Sequence, residues 1–180
     1  MIILGIDVAY KGGAVIIDKA GLIHNMKWNV PKKAGVTDQE RRNKVWEKLN
    51  NFLIESEGLI LSNICHVCLS EVYVRMLPGK ATVQDIKSGK KPKPIANFST
   101  ALILDKITQH IHTMLDQNWE FSSIVPMRDS KARSVCGVGK SKKDAQIQFG
   151  WLKKDSKGLS EDEIDAYVFA EALRRELKFE

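Results

Sequence analysis

Short apolar runs alternate with stretches of helical periodicity along the chain, and this order predicts an α/β fold. The first run, residues 2–6, is rich in β-branched residues, ends at Asp7, and predicts a buried strand. Gly12 and Gly13 lead into a second apolar run at 14–17, and residues 21–28 continue as a third. The glycines indicate turns between neighbouring strands. We therefore expect an antiparallel meander at the start of the chain.

Helical spacing begins after Thr37, which forms a capping box with Glu40. Apolar residues then recur at helical intervals as far as Gly58, where we expect the helix to end. A second long helix is predicted over about 97–116, and a third follows a capping box at Ser160. The remaining strands are predicted at 65–73 and 123–126. Within the second helix the apolar stripe is Leu104, Ile107, Ile111 and Leu115.

Three of these elements carry carboxylates that need a positive partner. Asp7 ends the first strand, Glu71 lies near the end of a later strand, and Asp165 heads the apolar stripe of the last helix, one turn after Asp162. Burying a carboxylate is costly unless a cation compensates it. Asp7 could instead accept hydrogen bonds from the following turn, and Asp162 could simply complement the helix dipole. Taken together, the four predict a cluster at one end of the sheet that binds hard divalent cations.

Such a cluster is suited to phosphodiester hydrolysis, because two cations a few ångströms apart can activate water and stabilise the leaving oxygen. The net charge of +6 and a pI near 9.2 favour a polyanionic partner. A zinc site at Cys65 and Cys68 is disfavoured, because residues three apart on a strand point to opposite faces. We expect both cysteines to be buried as small hydrophobic residues.

The composition agrees with one globular domain over residues 1–180, with 43% hydrophobic and 28% charged residues. No apolar run approaches the roughly 18 residues of a membrane span. The sequence therefore predicts a cytoplasmic protein. Its one long irregular stretch, at about 77–94, is rich in Lys, Pro and Gly and predicts a basic loop insertion.

The ordered set of motifs resembles the RuvC family of Holliday junction resolvases, within the ribonuclease H-like superfamily. The resemblance begins with Ile-Leu-Gly-Ile-Asp at 3–7 and Leu-Ser-Glu-Val-Tyr at 69–73. It continues through Val-Pro at 125–126, Lys131 and the Val-Cys-Gly-Val-Gly-Lys segment at 135–140, and ends with Asp-Glu-Ile-Asp-Ala at 162–166. Each motif alone is weak, but their order matches over most of the chain.

This resemblance implies a ribonuclease H-like fold, a five-stranded mixed sheet flanked by helices, with the first three strands antiparallel and the other two parallel to the first. It implies a homodimer that nicks four-way DNA junctions with Mg²⁺, for which Mn²⁺ would substitute. The metal ligands would be Asp7, Glu71, Asp162 and Asp165, and Lys131 and Lys140 would contact DNA phosphates. The helix around Leu104 to Leu115 would form the dimer interface.

The insertion at 77–94 departs from the compact bacterial pattern and suggests a divergent, phage or viral member acting in the host cytoplasm. Because the insertion follows Glu71, we expect it to reach over the DNA, and the alternative is a solvated surface linker. The predicted contacts are Lys87, Lys90, Lys91 and Lys93 within the insertion, and Tyr73 before it, which would stack against bases.

Three other functions compete with junction resolution. The glycines after Asp7 also resemble the phosphate hairpin of actin-like ATPases and sugar kinases, but those two-lobed folds need a much longer chain. A nuclease for flaps and forks and a non-catalytic junction-binding protein of the same fold both remain open.

Overall fold

A five-stranded sheet forms the centre of the molecule. The structure, a computed structural model, describes residues 1–71, 98–139, 142–149 and 159–178. The strands lie in the order β3-β2-β1-β4-β5, with β1 to β3 antiparallel and β4 and β5 parallel to β1. Their bounds are β1 Ile2–Asp7, β2 Lys11–Asp18, β3 Gly21–Asn29, β4 Cys65–Glu71 and β5 Ser123–Arg128. The predicted five-stranded mixed sheet of an α/β, ribonuclease H-like fold is confirmed.

Six helices connect and cover the described strands: α1 Asp38–Glu55, α2 Glu57–Leu61, α3 Phe98–Asn118, α4 Asp129–Cys136, α5 Lys142–Phe149 and α6 Glu161–Glu176. The capping boxes predicted at Thr37 and Ser160 are both formed. The predicted helix end at Gly58 is wrong. The backbone N–H of Ser56 closes the last turn of α1 on the carbonyls of Phe52 and Leu53, and Gly58 lies inside α2. None of the helices in these ranges is both long and apolar enough to cross a bilayer.

The sheet is covered on both faces. Successive side chains of its strands point to opposite faces, and apolar side chains occur on both. On one face, Ile2, Leu4 and Ile6 of β1 belong to a core cluster that includes buried side chains of α1 and α3. The stripe predicted on the second long helix contributes Ile107, Ile111 and Leu115 to this core, each with no exposed surface. On the other face, Ile3 belongs to a second cluster made chiefly with α4, α5 and α6. This second layer carries the predicted acidic helix.

The two cysteines of the Cys-x-x-Cys sequence face different cores, as the strand geometry predicts. Cys65 packs with α1 and α3, whereas Cys68 packs with the α6 layer. Burial raises the pKa of each thiol to about 12, and Cys136 is affected in the same way. All three are free cysteines in buried positions.

Candidate active site

Two glycines bring α6 into direct contact with the sheet. A Cβ atom on Gly5 of β1 would lie 2.2 Å from the backbone oxygen of Ala166, and one on Gly13 of β2 would lie 2.7 Å from that of Asp162. Any side chain at these positions would push the helix away. The start of α6 therefore lies over Gly13, and its second turn lies over Gly5.

Asp7 is the last residue of β1 and pairs in register with Gly13. Alternation along β1 puts its side chain on the same face as Ile3 and Gly5, which is the face that α6 covers. Because Gly13 is also the contact point of Asp162, Asp7 and the start of α6 lie at the same edge of the sheet. The predicted meeting of the first strand with the last helix is present here.

Asp162 and Asp165 lie in the first two turns of α6, and only 6% and 8% of their surface is exposed. From the sequence, Asp162 could simply complement the helix dipole, but the contact at Gly13 presses this turn onto β2 and buries the side chain. Each carboxylate is paired with a cation of the protein. Lys11 Nζ lies 3.5 Å from Asp162 Oδ2, and Arg133 Nη2 lies 2.6 Å from Asp165 Oδ1.

Arg133 of α4 is the site residue that the sequence patterns missed. It is 5% exposed and donates from Nη2 to Asp165 and from Nε to Asp129 Oδ1 at 2.7 Å. The spacing of Asp129 and Arg133, one helical turn, could have suggested an ion pair between them. Nothing in the spacing shows that the guanidinium also reaches across to α6. Its position makes Arg133 the buried counterion of Asp165.

Glu71 ends β4 and lines a groove together with residues of α4. Its side chain is 42% exposed, and its Oε2 lies 3.4 Å from Arg128 Nε. The registers of β1 and β4 pair Ile6 with Leu69, and Ser70 Oγ accepts a hydrogen bond of 2.7 Å from the Val8 N–H. Alternation thus puts Ser70 on the face of Asp7 and directs Glu71 to the opposite face at the strand end.

The four carboxylates fit a hard divalent cation in donor type, since all would supply oxygen. Their arrangement is less complete: within the described parts of the chain, no three His, Cys, Asp or Glu side chains are grouped so as to hold a metal ion. Lys11 and Arg133 contribute to this lack of a ligand group, because each forms an ion pair with one of the acidic side chains of α6. A cation that bound here would have to compete with both.

A groove of about 590 Å³ runs beside Glu71 and is also lined by Arg128 and Lys131. Lys131, predicted to contact DNA, forms an ion pair of 2.7 Å with Glu176 and remains 56% exposed. The other predicted DNA contacts lie outside the described residues: Tyr73, Lys87, Lys90, Lys91, Lys93 and Lys140. The insertion predicted at 77–94 lies outside them as well.

No protein-family model matches the sequence, and no curated protein does. Solved structures of similar fold exist. Thermus thermophilus RuvC in complex with a Holliday junction substrate aligns with a TM-score of 0.57 over 98% of this chain and 96% of its own, at 11% identity. Another Thermus thermophilus RuvC structure aligns with a TM-score of 0.53 over 99% and 98%, at 12% identity. The described part of this chain therefore has a RuvC-like fold.

Proposed function

We propose that this protein is a structure-selective DNA endonuclease that resolves four-way (Holliday) junctions by hydrolysing phosphodiester bonds. The observation that carries the proposal is the meeting of Asp7 with the buried Asp162 and Asp165 at one edge of a RuvC-like sheet. Carboxylates are the expected ligands of the cations used in phosphodiester hydrolysis. The solved structure of similar fold is bound to a junction, which supports the choice of substrate.

Under this proposal Asp7, Asp162, Asp165 and Glu71 hold Mg²⁺, and Mn²⁺ substitutes for it. A bound cation would supply an activated water and stabilise the leaving oxygen. The chain's own residues have a separate role. Gly5 and Gly13 fix α6 against the sheet and thereby hold Asp162 and Asp165 in a constant position relative to Asp7. Arg133 and Lys11 compensate the acidic side chains when no cation is present.

The basic residues of the chain would hold the DNA backbone around this site. Lys131 and Arg128 line the groove beside Glu71, and a phosphate could compete with Glu176 for the exposed Lys131. The predicted contacts at Tyr73, Lys87, Lys90, Lys91, Lys93 and Lys140 belong to the same proposal. The insertion also supports a divergent member of the family, such as a phage or viral one.

A homodimer is part of the proposal, because symmetric resolution requires two active sites in fixed relation. On α3, the stripe that includes Ile107, Ile111 and Leu115 packs inside the subunit. A partner would therefore meet the other side of this helix, where Leu102 is 39% exposed.

The decisive experiment offers a labelled four-way junction, a replication fork, a flap and a linear duplex to the protein with Mg²⁺, with Mn²⁺ and with EDTA. Paired nicks in strands of like polarity, confined to the junction and dependent on the cation, are expected. Asp7→Asn serves as the control for contaminating nucleases. Equal cleavage of forks and flaps would favour the broader nuclease, and cleavage in EDTA would refute the metal-dependent proposal.

One observation favours a second candidate, a non-catalytic junction-binding protein. The buried Arg133 already satisfies Asp165, and no group of three possible metal ligands exists among the described residues. Tight junction binding without cleavage under any divalent cation would select this candidate.

A further inference from the structure

A basic cavity lies where β3 leads into α1, on the face of the sheet opposite α6. Its volume is about 280 Å³, and its walls include Lys33, Arg41, Lys44 and Lys48, with Glu47 as the one carboxylate among the described residues that line it. The three lysines are exposed, so their ammonium groups can move toward a ligand. Four cations facing one carboxylate give the cavity a positive potential.

Arg41 gives this cavity a fixed, buried charge. It is 8% exposed, and the carbon of its guanidinium lies 3.5 Å from the centre of the Tyr10 ring. Its Nη2 donates to the Val30 carbonyl at 3.1 Å, and its Nη1 donates to Asp38 Oδ1 at 3.3 Å. Its buried Nε has no hydrogen-bond partner in the described part of the chain. Because Asp38 is 47% exposed, solvent weakens its compensation of this charge.

This chemistry fits a phosphate group. A stacked, oriented guanidinium with neighbouring lysines is a usual phosphate-binding arrangement in proteins that bind nucleic acids. The walls given by the structure include no aromatic ring on which a base could stack, so they offer less to a free nucleotide than to a backbone phosphate.

The cavity and the acidic residues lie at the same end of the sheet. Lys11, which pairs with Asp162, is the register partner of Asn29, and Asn29 lines the cavity. The N–H of Val30 also donates to the Tyr10 carbonyl at 2.7 Å, which ties the cavity wall to the turn after β1. Two strand spacings, or about 10 Å within the sheet, separate β1 from β3, and the α1 wall of the cavity lies across the sheet from α6.

We infer that this cavity binds a backbone phosphate of the DNA, away from the phosphate that is cleaved. The inference deepens the proposed function and rests on it for the identity of the ligand. A phosphate held between Arg41 and the lysines would fix the path of the strand across Lys11 toward Asp7. The cavity would then act as a positioning site that takes no part in hydrolysis.

The test measures how the affinity for a labelled linear duplex depends on salt, in EDTA, for Lys44→Gln, Lys48→Gln and the double variant. Lys19→Gln is the matched control, because Lys19 is exposed in the turn between β2 and β3, at the far end of β2 from Lys11. Each lost phosphate contact should reduce the slope of log K against log salt by about 0.9. When the salt is raised from about 50 to 200 mM, the affinity of both proteins falls, and the factor by which it falls should be about 12 times smaller for the double variant than for the wild type.

Equal slopes in the wild type and the double variant would overturn the inference, and so would an equal loss in Lys19→Gln, which would reveal a general charge effect. A thermal shift produced by a mononucleotide, with DNA slopes unchanged, would also overturn it. These outcomes are separate from failure of the proposed function. That failure would appear as no preference of the wild type for the four-way junction and no cleavage of it.

Discussion

Replacing Gly5 with Ala tests whether the contact between β1 and α6 holds the candidate site together. The new Cβ would lie 2.2 Å from the Ala166 oxygen and 2.7 Å from both Cβ and N of Ala170. Carbon–oxygen contacts are normally about 3.3 Å or longer, so α6 would have to move by about 1 Å. Side-chain rotation cannot relieve the clash, because every contacting atom is backbone or Cβ.

Overpacking of this kind costs about 1–3 kcal/mol, and the need to move a whole helix places Gly5→Ala at the upper end. The loss of conformational entropy in the unfolded chain offsets about 0.4–1 kcal/mol of this. We therefore expect the free energy of unfolding to fall by about 2–2.6 kcal/mol. With an m-value of about 2 kcal/mol/M, the midpoint of urea unfolding should fall by about 1 M or slightly more.

Gly58→Ala is the matched control, because it makes the same chemical change inside α2, where the new Cβ would meet no atom of another described element within 4 Å. Its higher helix propensity should raise stability by about 0.5–1 kcal/mol. Urea unfolding followed by circular dichroism measures both variants. A Gly5→Ala protein within about 0.5 kcal/mol of the wild type would refute the close packing of α6 on β1, and with it the placement of Asp162 and Asp165 beside Asp7.

The same geometry leads to four more expectations. Asp7→Asn should abolish cleavage of a four-way junction but retain binding in a gel-shift assay, because an amide cannot supply the anionic oxygen that a hard cation prefers; normal cleavage in Mg²⁺ would contradict this. Asp165→Asn should destabilise by about 2 kcal/mol, below the cost of breaking an isolated buried ion pair, since Arg133 keeps Asp129 as a partner. Asp162→Asn should cost less than about 1 kcal/mol, since Lys11 is 63% exposed; equal losses in urea unfolding would show that the two ion pairs are equivalent. The three cysteines, with pKa values of about 12, should resist a thiol reagent at pH 8 until the protein unfolds. Since these pKa values are raised, the stability they contribute is complete below about pH 9 and should decrease from there toward pH 12. Finally, light scattering at micromolar concentration should give the mass of a dimer, and a monomer would count against the proposed symmetric cleavage.

The sheet and its covering helices were predictable because their signals are local. Alternation and β-branched runs define the strands, and the capping boxes at Thr37 and Ser160 mark helix starts through contacts spanning only three residues. The end of α1 was harder. A glycine such as Gly58 commonly ends a helix, but here Ser56 closes the last turn of α1 two residues earlier. Gly58 does not adopt the left-handed conformation and lies inside the next short helix.

The candidate site was predictable only in part, since its assembly depends on contacts distant in sequence. That Asp7 and the acidic helix lie together follows from Gly5 and Gly13, whose role as contact points is visible only when α6 is docked. The burial of Asp162 has the same origin. The position of Glu71 depends on one step of register, because shifting β4 by a residue would exchange it with Ser70 on the face of Asp7.

Carboxylates in apolar settings need positive partners, but their sequence pattern does not identify the partner. A metal ion and a guanidinium satisfy the same electrostatic requirement, and the sequence around Asp165 is compatible with either. In the described residues the partner is Arg133, which also pairs with Asp129 at the exposed start of α4. Arg133 therefore keeps an anionic partner, Asp129, when Asp165 is released, and its buried guanidinium is not left without a counterion. A cation entering beside Asp7 could then take over Asp165 at a cost well below that of breaking an isolated buried ion pair, which reconciles the ion-paired arrangement with metal-dependent chemistry at the same edge.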